Sequence, residues 1–225
     1  MSKSWTKESL AACIDHTLLK ATATSEQIRA LCSEAARYGF ASVCVNPKFV
    51  SLAAHELRGQ KPKVCTVVGF PLGSMEHSAK ADEAKLAAKQ GATEIDMVID
   101  LGAIKEGDWA AVESDVKGVV KAAGKNAIVK VILECCYLSD DEKTQACQVC
   151  KKAGAAFVKT STGFGPSGAT LDDVVLMRKA IGPEMGLKAA GGIRTTKEAI
   201  FMLEAGATRI GASCGVEIIS MLTEN

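Results

Sequence analysis

The stretch "AGAAFVKTS", residues 153–161, decides the fold, because three other stretches align with it on a glycine: "YGFASVCVN" from Tyr38, "QGATEIDMV" from Gln90 and "AGATRIGAS" from Ala205. Gly39, Gly91, Gly154 and Gly206 each follow an alanine-rich amphipathic run and lead within three residues into a β-rich stretch. This suits the left-handed residue that ends a helix. The glycines stand 52, 63 and 52 residues apart. If each interval holds two strand-helix units, a unit averages about 26 to 32 residues, the size of a βαβ crossover.

The strands that this spacing skips are present in the sequence: "IDHTLL" at 14–19, "KVCTVVG" at 63–69, "AIVKVILE" at 127–134 and "GLKAAGG" at 186–192. With the first four they make eight. Helical patterns at 24–38, 76–90, 107–123, 139–153, 170–181 and 195–205 alternate with them, which implies a parallel sheet. No composition break or linker interrupts the 225 residues. The expected architecture is therefore α/β: a closed (βα)8 TIM barrel forming a single domain over residues 1–225, with a short N-terminal helix. "VVGFPLGS" at 67–74 is not a Gly-x-Gly-x-x-Gly fingerprint, which argues against a nucleotide cradle.

The register adds chemistry. The fourth residue after each aligned glycine is Val43, Ile95, Val158 or Ile210, and the fifth is Cys44, Asp96, Lys159 or Gly211. Successive strand residues face opposite ways. The branched aliphatic set suits the outer helices, so the mixed set points into the barrel, where alternate strands contribute one layer. An acid and a lysine thus share the interior. A buried ion pair is a poor route to stability compared with apolar packing, which favours a functional reading.

Lys188, in "GLKAAGG", stands on the strand next to that of Lys159. A free lysine has a pKa near 10.4, and burial beside a like charge brings it down. A neutral amine attacks a carbonyl to form a Schiff base, which allows carbon-carbon cleavage without metal. Asp96 is expected to act mainly on water and Lys188, relaying protons, while charged Lys188 depresses Lys159. Asp15 is a candidate for hydrogen bonding to a substrate hydroxyl, weighed evenly against a structural role. For Lys130 and Glu134 a mutual charge network weighs at least as much as a part in the chemistry.

Other classes are disfavoured. The 27 basic and 26 acidic residues leave a net charge of +1 with 4% aromatics, so no nucleic-acid footprint is visible. The polar N-terminus and the lack of a long apolar run argue against a signal peptide or membrane span and for a cytoplasmic protein. Nine cysteines suit reduced thiols, including the Cys147/Cys150 pair inside a helical stretch. His16, His55 and His77 lack paired ligand spacing, so no metal and no other cofactor is expected.

Small-residue loops follow the last three strands: "TSTGFG", "AAGGIRT" and "GASCG". At the C-terminal mouth of such a barrel, backbone N–H groups of these loops often hold phosphate. Thr162, Gly163, Gly191, Gly192 and Ser213, with Cys44 and Gly211 in the inward layer, are the candidate substrate contacts.

These residues resemble the 2-deoxyribose-5-phosphate aldolase family, class I aldolases that reversibly split their substrate into acetaldehyde and glyceraldehyde 3-phosphate. The resemblance rests on "DHTLL" at 15–19, "CVNP" at 44–47, "VVGFPLG" at 67–73, "EIDMVI" at 94–99, "FVKTSTGF" at 157–164, "KAAGGIRT" at 188–195 and "IGAS" at 210–213. It implies Lys159 as the Schiff-base lysine, Asp96 and Lys188 as the proton-transfer pair, and a phosphorylated sugar as substrate in deoxyribose phosphate catabolism; a homo-oligomer is compatible with the sequence, which does not fix the oligomeric state. Some members carry a phosphate-holding lysine where Phe164 stands here, and some end in a tyrosine-tipped tail where this chain has "MLTEN". The competing readings are another class I or transaldolase-like aldolase, and a non-catalytic sugar-phosphate-binding barrel.

Overall fold

A computed structural model describes residues 4–222; the last three residues of "MLTEN" lie outside them. The strands are β1 (Ile14–Leu18), β2 (Ser42–Val45), β3 (Lys63–Val68), β4 (Glu94–Val98), β5 (Ile128–Ile132), β6 (Phe157–Lys159), β7 (Gly186–Ala190) and β8 (Arg209–Ala212). All pair in parallel, and β8 returns to β1, closing an eight-stranded barrel.

The helices are α1 (Lys7–Ala11), α2 (Ser25–Tyr38), α3 (Val50–Glu56), α4 (His77–Lys89), α5 (Leu101–Glu106), α6 (Trp109–Ala123), α7 (Asp140–Lys152), α8 (Leu171–Ile181), α9 (Thr196–Glu204) and α10 (Gly215–Ser220). Reciprocal capping boxes at Thr6, Thr24, Ser139 and Thr195 start α1, α2, α7 and α9, satisfying amide groups that a helix start leaves free. Sequence periodicity gave one helix over 107–123. The structure has α6 there, started by the Asp108 side chain, which accepts from Ala111 N–H, and adds the short α5 before it, which Gly107 ends at φ 73. The short α3 and α10 carry too few periodic residues to stand out in the sequence.

Val43, Ile95, Val158 and Ile210 are fully buried in the apolar layer between barrel and helices. Their neighbours in sequence point inward, as the alternation requires. From the N-terminal end the inward residues stack as Ser42, Glu94, Phe157 and Arg209; then Asp15, Cys65, Lys130 and Lys188; then Cys44, Asp96, Lys159 and Gly211. Even-numbered and odd-numbered strands supply alternate layers, the arrangement that fills barrels of this size. Gly211 is small for a reason visible here: a Cβ on it would lie 2.9 Å from Lys188 Cε.

The aligned glycines differ in what surrounds them. Gly39 caps α2 at φ 72 with no atom within 4 Å of an added Cβ, whereas at Gly91, with φ 108, a Cβ would lie 2.7 Å from the Cβ of Ala54. Gly39→Ala is expected to cost about 1–2 kcal/mol of backbone strain alone, and Gly91→Ala a further 1–3 kcal/mol, roughly, from overpacking. Urea midpoints of the two variants check this, and an equal or reversed order contradicts it.

Candidate active site

One carboxylate gathers the charged interior. Asp96 Oδ2 accepts from Lys159 Nζ at 2.9 Å and from Lys188 Nζ at 2.7 Å, and Oδ1 accepts from Lys130 Nζ at 2.7 Å and the Cys65 thiol at 3.2 Å. Lys188 also pairs with Asp15 at 2.5 Å. Below it, Arg209 joins Asp15 at 2.6 Å to Glu94 at 3.0 Å. Lys130 closes the web with Glu94 at 2.7 Å and Asp15 at 3.5 Å.

Burial alone pushes the Asp96 carboxyl up, but the ammonium groups of Lys130, Lys159 and Lys188 outweigh it and hold the group well below the usual carboxylate range. Asp15 is lowered in the same way, against its own burial, by Lys188, Lys130 and Arg209. Burial pulls Lys188 down, but Asp15 and Asp96 outweigh it and hold it above the ordinary lysine value. Lys130 is raised against its burial by Asp96, Cys65, Asp15 and Glu94.

A count of charges distinguishes the lysines. The web holds three carboxylates (Asp15, Glu94, Asp96) and four cationic side chains (Lys130, Lys159, Lys188, Arg209). Lys130 meets three of the carboxylates and Lys188 and Arg209 two each; Lys159 meets only Asp96, through an oxygen that it shares with Lys188. A neutral amine at Lys159 therefore leaves every carboxylate compensated. At any of the other three it would strip a partner from at least two buried acids, a costly change.

The same lysine faces the open space. A cavity of about 280 Å3 at the C-terminal mouth is lined by Lys159, Thr162, Gly163, Gly191, Gly192, Gly211 and Ser213, among others. Lys188 and Lys130 lie beneath it, fully buried. Lys20 and Arg194 also line the cavity, and among the described residues no carboxylate does.

The expected contact of Asp96 with Lys188 is present at 2.7 Å, and the same Oδ2 also accepts from Lys159 at 2.9 Å. Asp15 and Cys44 are fully buried and do not line the cavity. Asp15 is committed to Lys188 and Arg209, and Cys44 packs with Leu19, Cys65 and Val67. Lys130 and Glu134 do not pair with each other, because Lys130 turns into the barrel while Glu134 stands beyond the end of β5 and bonds Thr162. Thr17, Lys20 and Arg194 line the cavity without having stood out in the sequence; Lys20 and Arg194 lie two and four residues beyond the ends of β1 and β7. Asp15, Cys65 and Glu94 bring donor atoms together as a metal site does, but the ammonium of Lys130 occupies their midst, 2.7 Å from Glu94 and 3.2 Å from Cys65. Cys147 is buried in α7, and burial pushes its thiol up to about 12, away from thiolate chemistry.

Known proteins of the same fold are similar to this chain in sequence. The model of the DeoC/LacD family aldolases matches residues 9–221. A protein named deoxyribose-phosphate aldolase from Geobacillus sp. (strain WCH70) is 55% identical over 219 residues, 97% of this chain and 98% of that one. Another of that name from Streptococcus uberis is 58% identical over 207 residues, covering 92% and 94%. The tetrameric deoxyribose phosphate aldolase structure from Aeropyrum pernix superposes with a TM-score of 0.90 at 37% identity, covering 96% of this chain and 91% of that one. The barrel and its motif-bearing strands are thus those of a known group of enzymes, and the chain belongs to the DeoC/LacD family aldolases.

Proposed function

We propose that this enzyme cleaves 2-deoxy-D-ribose 5-phosphate reversibly to acetaldehyde and D-glyceraldehyde 3-phosphate through a Schiff base on Lys159. The observation that carries the assignment of the lysine is that, of the lysines in the buried web, Lys159 alone lines the cavity and alone has a single carboxylate partner.

In this reading the Lys159 amine attacks the C1 aldehyde of the open-chain sugar, and the carbinolamine loses water to a protonated imine. A base takes the proton of the C3 hydroxyl, the C2–C3 bond breaks, and its electron pair moves into the imine to give an enamine. Glyceraldehyde 3-phosphate leaves, C2 of the enamine takes a proton, and hydrolysis frees acetaldehyde and Lys159. Asp96, in contact with both Lys159 and Lys188, is the proposed proton carrier, with Lys188 as its charged partner. Asp15, Lys130, Glu94 and Arg209 hold that pair in place from below.

The phosphate end would meet the glycine loops, where Gly163, Gly191, Gly192 and Ser213 line the cavity. Backbone N–H groups recognise an anion without carrying net charge, and Lys20 and Arg194 supply the charge that Phe164 does not. A cytoplasmic role in deoxyribose phosphate catabolism and a homo-oligomeric state belong to the same proposal. No helix among the described residues is long and apolar enough to cross a membrane.

Formation of glyceraldehyde 3-phosphate from 2-deoxyribose 5-phosphate tests the function directly. Lys159→Leu is expected to lower kcat by at least about 10⁴-fold, the scale seen when a covalent nucleophile is removed, and EDTA is expected to leave the wild-type rate unchanged. A Lys159→Leu enzyme of near wild-type rate would end the assignment. Lys188→Met removes the charged partner of Asp96 and is expected to lower kcat by about 10²-fold or more, the scale of a lost proton-transfer group. A Lys188→Met enzyme of near wild-type rate contradicts that role.

A further inference from the structure

Glu134 takes no part in the ion web, yet it is buried and its backbone is strained. Beyond the ends of β5 and β6 the two segments stay hydrogen-bonded, Leu133 N–H to Lys159 O and Cys135 N–H to Thr160 O, each at 2.9 Å. Two steps along one segment thus answer to one step along the other, the mark of a β-bulge. Glu134 is the extra residue, at φ 49 and ψ 63. It is the only non-glycine with positive φ among the described residues, a conformation that carries a steric cost for any side chain with a Cβ.

The bulge turns the Glu134 side chain across to the turn after β6. Its carboxylate accepts from Thr162 N–H at 3.1 Å and from the Thr162 hydroxyl, and Thr162 Oγ1 accepts in turn from Phe164 N–H at 3.0 Å. The far end of the same loop is tied by Ala169 N–H to Ala190 O at 3.1 Å and Gly191 O at 3.0 Å. Between these ties the backbone passes so close that a Cβ on Gly165 would lie 3.2 Å from Glu134 Cδ, and one on Gly168 2.9 Å from Gly191 Cα. Thr162, Gly163 and Phe164 line the cavity, whereas Glu134 does not.

We propose that Glu134 is a positioning residue whose carboxylate, aimed by the bulge, sets the Thr162–Phe164 turn as the cavity wall for the phosphate-bearing end of the substrate. The inference rests on the function proposed above. It separates two steps of the reaction: Schiff-base formation at Lys159 needs no phosphate contact, whereas binding of the phosphorylated sugar needs the turn.

Two measurements on the full chain test it: KM for 2-deoxyribose 5-phosphate, and the rate of inactivation by acetaldehyde with borohydride. Glu134→Ala is expected to raise KM about 10-fold to 100-fold, the scale of hydrogen bonds lost from a charged acceptor, with acetaldehyde inactivation at the wild-type rate. Glu134→Gln keeps an acceptor oxygen and should fall between. An unchanged KM in Glu134→Ala overturns the proposal, as does a loss of acetaldehyde inactivation as large as the rise in KM. If Glu134→Ala does not fold, Glu134→Gln decides, and a wild-type KM in that variant overturns it. Wild-type enzyme that acetaldehyde and borohydride fail to inactivate would instead contradict the Schiff-base reading itself.

Discussion

Everything distinctive in this barrel depends on the buried carboxylate of Asp96. Its two oxygens face three lysines, and the third lysine shares its oxygen with the second. A carboxylate in such a place loses its hydration and recovers it only through well-placed cations. The web holds one cation more than acids, and in the proposed function this surplus lets one amine be neutral without leaving any acid bare. Position selects which one: Lys159 is last in β6, at the mouth, while Lys188 and Lys130 stand a layer lower.

The fold makes this arrangement possible by separating apolar and charged surfaces along each strand. Val43, Ile95, Val158 and Ile210 join the barrel to its helices, while the residues beside them in sequence build the interior web. Charged pairs of this kind add little net stability compared with packed aliphatic side chains. The continuous apolar layer outside the barrel supplies the stability, and the interior is left to hold charges in fixed relation to one another. Preorganised charge in a dry interior is also what stabilises proton transfers and an iminium ion.

The fold was legible because its signals are local and repeated. A glycine that ends a helix, an aliphatic residue four positions on and an inward-facing one five positions on recur four times, and parity of side chains along a strand then fixes which way Asp96 and Lys159 point. Less was legible where the outcome depends on which strands meet across the barrel. Asp15 is near Lys188 and Arg209 only after β8 closes on β1, so its commitment to them rather than to substrate leaves no trace in "IDHTLL". Lys130 and Glu134 lie four residues apart, but the bulge at Glu134 sends the two side chains to different places. Lys20 and Arg194 follow strand ends at the mouth, and only the placement of their loops shows that they share one cavity.

The central claim is that Lys159 and not Lys188 or Lys130 forms the covalent bond. Its most direct test is peptide mapping by mass spectrometry of the wild-type enzyme after reduction with borohydride in the presence of acetaldehyde. An ethyl group carried by the peptide containing Lys159, on the Lys159 Nζ, is the predicted result. An ethyl group on Lys188 or Lys130 would contradict the account.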